Sequence, residues 1–375
     1  MPRKQTDEQL LKESALRDSE RSARREQRSV CFEILKQYET VFFRTFDRDL
    51  LKNELFHAFI FHGPQGSLKT EAAVLCAQSI VCPGIHGLVD EAHSEYADLL
   101  ARVAETEYGD LYRIDGSEKK SIGIEKAADI QRFLSRTAAE ESGRKILLLN
   151  GAEYMTEDAM NSLLKFLEEP AEQVYMFLVT GNVDRLLTTI RSRCMAVRFH
   201  PLPEQVYYDA AIREGLDPED AFFLAGAAKV LGGYPDLAVS EPYQRAKTLF
   251  RQMLGLQGDP GLILVDYDTR YRFREKGERG DTGREKGERR TVRDNNLDTL
   301  IWFFEMLARY YRSVITGDET GPAWYSESVK AERSVPKARY IEKLQIVREA
   351  RDKCGRTNDL NLLMDQTIYR LEKVA

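Results

Sequence analysis

Three short stretches of this 375-residue chain carry residue types that handle phosphate chemistry. The first is Gly63-Pro-Gln-Gly-Ser-Leu-Lys-Thr70. Its Gly63, Gly66, Lys69 and Thr70 stand in the order of a phosphate-cradling loop (a Walker A motif). In such a loop backbone N–H groups wrap the anion, the lysine reaches the outer phosphates and the hydroxyl meets Mg²⁺. The pattern asks for glycine just before the lysine, because a Cβ there crowds the phosphate or demands an unfavourable φ. This chain has Leu68, and the motif is degenerate. The second stretch is Ile146-Leu-Leu-Leu-Asn-Gly-Ala-Glu153. An NTP hydrolase ends this strand in two carboxylates, one for the metal and one to polarise water. Asn150 is a poor ligand for a hard cation, and Gly151 has no group to activate water. Glu153 lies past the strand and reads as a surface residue. The third stretch is Ile190-Arg-Ser-Arg-Cys194. Its Arg193 offers a permanent charge in a planar fork that fits phosphoryl oxygens. Taken alone, Arg193 reads as a surface residue or an ion-pair partner.

The elements that must position these residues follow from hydropathy. Ala58–His62, Leu111–Asp115, Lys145–Asn150 and Val174–Thr180 read as strands. Between them Ile124–Ala139 and Thr156–Leu167 read as amphipathic helices, the latter started by Thr156 with Glu157 and Asp158 behind it. A packed helix is expected over Cys31–Phe46, one beginning at Glu71–Ser79 and a short one at Leu186–Ser192. Strands alternating with helices predict a parallel sheet covered on both faces. After Pro201–Pro203 the pattern becomes helical, at Pro218–Leu231, Pro235–Leu254, Asn296–Ile315, Val335–Ala350 and Asp359–Leu371. The expected fold class is therefore an α/β domain of P-loop type followed by helical domains.

Composition narrows the function. A net charge of −6 argues against a chain that wraps DNA by itself. Residues 1–28 are polar and highly charged, have no apolar run of signal-peptide type, and read as a solvated extension. No apolar stretch is long enough to span a bilayer, so a cytoplasmic address is expected. The five cysteines form no C-x-x-C pair, so neither a disulfide framework nor a four-cysteine zinc site is expected. Cys76, Cys82, His86 and His93 fit no common zinc spacing, and Cys76 reads as buried in a helix. Arg274–Arg279 and Arg284–Arg289 both read REKGER, marking a charged low-complexity insertion. The expected organisation is 1–28 extension, 29–203 α/β domain, 204–262 helical lid, 263–297 insertion and 298–375 helical C-terminal domain.

The residues of 55–203 resemble the AAA+ domain of bacterial clamp-loader subunits. The resemblance is carried by His57–Pro64, by Met155–Pro170 with its Leu-Glu-Glu-Pro end, by Thr180-Gly-Asn182 at the sensor 1 position, and by Ser192-Arg193-Cys194. Thr357–Met364 also looks like the start of the last collar helix. The degenerate phosphate loop, the missing carboxylates, and the lack of an arginine in Leu231–Leu237, where sensor 2 falls, point to the delta-prime branch of DNA polymerase III rather than the ATP-hydrolysing gamma/tau branch. The resemblance implies a static, non-hydrolysing subunit with no cofactor or metal of its own, since ATP is bound by its neighbours. Arg193, flanked by Ser192 and Cys194, would be an arginine finger supplied in trans. The implied partners are gamma/tau and delta subunits, and through the assembly the sliding clamp and primer-template DNA. The competing readings are an active gamma/tau-type ATPase with an atypical loop and a pseudo-ATPase scaffold outside replication.

Overall fold

The computed structural model describes residues 21–84, 87–91, 94–116, 121–256, 263–264, 284–357 and 359–374, with the backbone alone over 284–294. The chain divides into two compact units, Met1–Leu202 and Pro203–Ala375.

The first unit begins with helices α1 (21–38) and α2 (Thr40–Leu51), then β1 (Ala58–His62) and α3 (Lys69–Val81). It continues through α4 (Ala97–Ala104), β2 (Leu111–Asp115), α5 (Ile124–Leu134) and β3 (Lys145–Asn150). It closes with α6 (Glu157–Glu168), β4 (Val174–Thr180), α7 (Thr188–Arg191) and β5 (Met195–Arg198). The five strands are all parallel in the order β2-β3-β4-β1-β5. This is the parallel α/β sheet that the sequence leads one to expect.

Strands β1, β3 and β4 are near-continuous apolar runs because helices cover both faces of the sheet. Strand alternation sends Phe59, Phe61 and Phe177 to one face. There they meet Phe42 and Phe46 of α2 and also Phe199, and Phe59 stacks on Phe177 with ring centroids 5.5 Å apart. Ala58, Ile60, Met176 and Leu178 join the other core, with Ile130 of α5 and Leu163 of α6. Burying each such large side chain contributes roughly 1.5–3 kcal/mol, so the central strands are held firmly under the loops that follow them. Helix α6 starts where Thr156 accepts a hydrogen bond from Ala159 N at 3.3 Å, with Glu157 and Asp158 favourable at the N-terminal dipole.

Of the expected solvated extension, residues 21–28 are described; they are helical, continuous with the rest of α1, and mostly exposed. Arg28 donates to both carboxylate oxygens of Glu91, at 2.6 and 2.7 Å, and Ser29 donates to Asp90 at 3.0 Å. Most of residues 21–27 stay exposed, and Arg28 is the charge that docks most closely. Residues 1–20 lie outside the described residues.

The second unit is helical among its described residues, with α8 (Glu204–Arg213), α9 (Pro218–Ala227), α10 (Tyr234–Val239) and α11 (Glu241–Met253). After them come α12 (Arg284–Thr316), α13 (Ala323–Ala331), α14 (Lys337–Cys354) and α15 (Leu360–Lys373). The single long helix expected over Pro235–Leu254 is two, because the chain turns at Ser240 ahead of Pro242. The insertion expected over 263–297 is only partly within view, since 265–283 lie outside the described residues. Its second REKGER copy opens α12, a helix of 33 residues, because Glu, Lys and Arg are good helix formers and a single Gly287 does not stop them. No described helix is long and apolar enough to cross a membrane.

Candidate phosphate loop and the Arg193 edge

The loop 63–70 leaves the C-terminal end of β1 and opens α3. Gly63 is required by close approach, since a Cβ there would lie 2.4 Å from Phe199 O of the chain leaving β5. Leu68 adopts φ +55°, ψ 26°, the left-handed conformation a glycine would supply. The backbone bend of a phosphate loop is thus kept, at a cost of about 1–2 kcal/mol for an L-residue. Burial of the Leu68 side chain, 4% exposed, offsets that cost.

The groups that would meet a nucleotide are engaged within the chain. Lys69 Nζ donates to Pro64 O at 2.7 Å and lies 3.4 Å from Ser67 Oγ, which itself donates to Pro64 O at 2.8 Å. The lysine is folded back on its own loop. Burial lowers its pKa, against an opposing pull from Glu71 and Glu153. Thr70 Oγ1 donates to Asn150 Oδ1 at 3.3 Å, and Asn150 Nδ2 donates to Asp115 Oδ1 at 3.2 Å. An amide can bridge a hydroxyl and a carboxylate in this way; an aspartate at the same place could not donate. Gly151 has φ +73° and starts a 3₁₀ turn over Ala152–Tyr154, so a side chain bearing a carboxylate would be strained there.

Glu153, expected as a surface residue, is half-buried. Its Oε1 accepts from Gly181 N at 2.8 Å, while its Oε2 is enclosed without a hydrogen-bond partner among the described residues. Glu153 therefore ties the turn after β3 to the Thr180-Gly-Asn182 stretch. In that stretch Asn182 Oδ1 caps the next turn by accepting from Asp184 N at 3.1 Å. In the second unit Tyr234 of the Leu231–Leu237 stretch is buried, and its backbone N donates to Glu214 at 2.9 Å. Cys76 and Cys82 are buried, and burial pushes both thiols up. His86 and His93 lie outside the described residues. Among the described residues no cluster could hold a metal ion.

Arg193 sits elsewhere. Strands β1 and β5 are parallel, with Phe59 beside Met195 and His62 beside Arg198. The loop leaves β1 past His62, whereas Arg193 stands just before Met195. The two are separated by the length of the paired strand, about 10 Å at roughly 3.3 Å per residue, and lie beyond opposite ends of these neighbouring strands. Arg193 Nη1 donates to Thr189 O at 3.0 Å and to Ser192 Oγ at 3.2 Å, and Nη2 pairs with Glu168 Oε1 at 2.6 Å. Arg191 instead pairs with Asp184 at 2.9 Å. Cys194 is half-buried against the core, and burial pushes its thiol up to about 12. Sequence reading placed Ser192, Arg193 and Cys194 together but missed Glu168. Its only signal was that the Leu-Glu-Glu-Pro end of α6 returns to the edge where β4 begins.

The family described as "DNA polymerase III, delta subunit" matches residues 38–203. A DNA polymerase III subunit delta' of Bacillus subtilis is 33% identical over 202 residues, 53% of this chain and 59% of that protein. One of Pseudomonas aeruginosa is 32% identical over 48% of this chain and 53% of its own length. The chain thus spans little more than half the length of these relatives. Among solved structures, a DNA polymerase III gamma subunit-related protein of Thermotoga maritima aligns over 89% of this chain and 99% of its own, at 19% identity and a TM-score of 0.42.

Proposed function

We propose a role exerted on neighbouring subunits for this chain, whose residues 38–203 belong to the clamp-loader delta-prime family related to gamma and tau. It is a non-hydrolysing AAA+ subunit that binds no nucleotide of its own and lends Arg193 to the ATP site of an adjacent gamma/tau-type subunit. The second unit joins the helical collar of the assembly. With gamma/tau and delta subunits it takes part, in the cytoplasm, in placing a sliding clamp on primer-template DNA.

The observation that carries the reading is the separation of Arg193 from its own loop. An arginine at the N-terminal edge of the sheet has no phosphate of its own chain to serve, but it stands at a domain edge where a second chain can abut. Phosphoryl transfer gathers negative charge on the γ-phosphoryl oxygens, and a guanidinium brought from outside stabilises that charge without any reaction of its own. The loop itself supports the complementary half of the reading. Lys69 is engaged by Pro64 O, Asn150 is an amide, and Gly151 is bare.

The test is Arg193→Ala in the full-length chain, reconstituted with gamma/tau-type and delta-type subunits. Assembly should persist, because Arg193 is surface-held. ATP turnover at the one site it serves should fall by about a thousandfold, the scale of arginine fingers supplied in trans. Normal turnover by the assembled complex would overturn the assignment.

A further inference from the structure

Arg193 is engaged on both of its terminal nitrogens within its own chain. Nη1 is taken by Thr189 O and Ser192 Oγ, neutral acceptors on the turn that carries the arginine. Nη2 is taken by a full negative charge, Glu168 Oε1 at 2.6 Å. The neutral contacts raise and orient the guanidinium and carry no charge to oppose an incoming anion. The carboxylate does: a phosphate approaching Nη2 meets a like charge bound to the same nitrogen. Glu168 is also free to leave. Its side chain is 49% exposed and sits on the last residue of α6, so water can take over its solvation.

We propose that Glu168 is a positioning residue for Arg193: it holds the guanidinium while no phosphate is present and yields it to the nucleotide phosphate of the adjoining subunit. This rests on the reading of Arg193 as a finger acting in trans. The exchange swaps one exposed ion pair for a pair with a more highly charged anion, so it runs forward once the anion arrives. No proton moves and no bond is made or broken. Thr189 and Ser192 keep their hold on Nη1 throughout, which fixes where the freed edge of the fork points.

A competitor for the bound state acts on affinity rather than on the chemical step, so its removal should appear in KM and not in kcat. The experiment is steady-state ATP hydrolysis by the complete reconstituted complex carrying the wild-type chain, Glu168→Gln or Arg193→Ala. Glu168→Gln keeps an oxygen acceptor and the side-chain volume while removing the charge. It should lower the KM for ATP about two- to fivefold, the worth of an exposed ion pair, with kcat unchanged. An unchanged KM, or a fall in kcat like that of Arg193→Ala, overturns the proposal. The two readings fail separately. If Arg193→Ala slows turnover while Glu168→Gln changes nothing, only the role of Glu168 falls. If Arg193→Ala turns over normally, the finger falls and the role of Glu168 with it.

Discussion

Restoring a carboxylate at the end of β3 should weaken the protein rather than revive an ATPase. In Asn150→Asp the amide that donates to Asp115 Oδ1 at 3.2 Å becomes a second anion at that distance. The Coulomb energy of two unit charges 3.2 Å apart is about 1 kcal/mol in water-like surroundings and about 5 kcal/mol at the effective dielectric of a protein surface. Asp115 and Asn150 are both half-buried, and the side chains can rotate apart. The expected loss is therefore about 2 kcal/mol, including the missing hydrogen bond. In the folded variant one of the two carboxyls holds its proton to a higher pH than in the unfolded chain. The folded state then binds more protons in that window, so the penalty grows as pH rises through the raised pKa and shrinks toward acid. Urea unfolding of wild type and variant at pH 5 and pH 8 measures this directly. The stability difference should be larger at pH 8. Equal stability at pH 8, or a difference that does not change between the two pH values, would refute the argument that the amide is there to bridge.

Two further substitutions probe the same frame. Leu68→Gly relieves a left-handed leucine, worth about 1 kcal/mol, but empties a buried site worth about 2–3 kcal/mol. Net destabilisation of about 1–2 kcal/mol is expected, and calorimetry with Mg-ATP should still detect no binding; recovered binding would show that Leu68 alone closes the loop. Arg28→Ala takes a charged donor from the Glu91 carboxylate, which is 2% exposed and to which Gln78 Nε2 still donates at 2.7 Å. Loss of about 3 kcal/mol and easier proteolysis of α1 are expected, and unchanged unfolding would mean that the helix is docked by other contacts.

The central strands were legible because covering both faces of a parallel sheet forces long apolar runs, and β1, β3 and β4 fall where those runs do. Strand β5 was missed: it is short, half polar, and lies at the exposed edge. Helix α5 ends earlier than its periodicity suggests, because the Asp110 carboxylate draws the backbone N–H of Ala139 and Glu140 to 2.7 Å each and turns the chain. The helix expected over Cys31–Phe46 breaks at Glu39, whose buried carboxylate accepts from His200 N at 2.6 Å. Both events depend on partners far along the chain, which local pattern does not reveal. At the candidate site the residue types were readable but their engagements were not. That Lys69 turns onto Pro64 O, that Asn150 bridges Thr70 and Asp115, and that Glu153 holds Gly181 all follow from chain crossings.

The left-handed Gly151 also limits which single substitutions could give this chain an acidic pair. A glutamate reintroduced at this position has to adopt a positive φ that costs about 1 kcal/mol, and it gains nothing while Asn150 remains an amide. An aspartate reintroduced at 150 meets Asp115 first and gains nothing while position 151 is bare. Each single step toward an acidic pair lowers stability before any activity can reward it. On the proposed reading, such a pair is closed to single substitutions: the bridge made by Asn150 and the positive φ of Gly151 oppose each step taken alone.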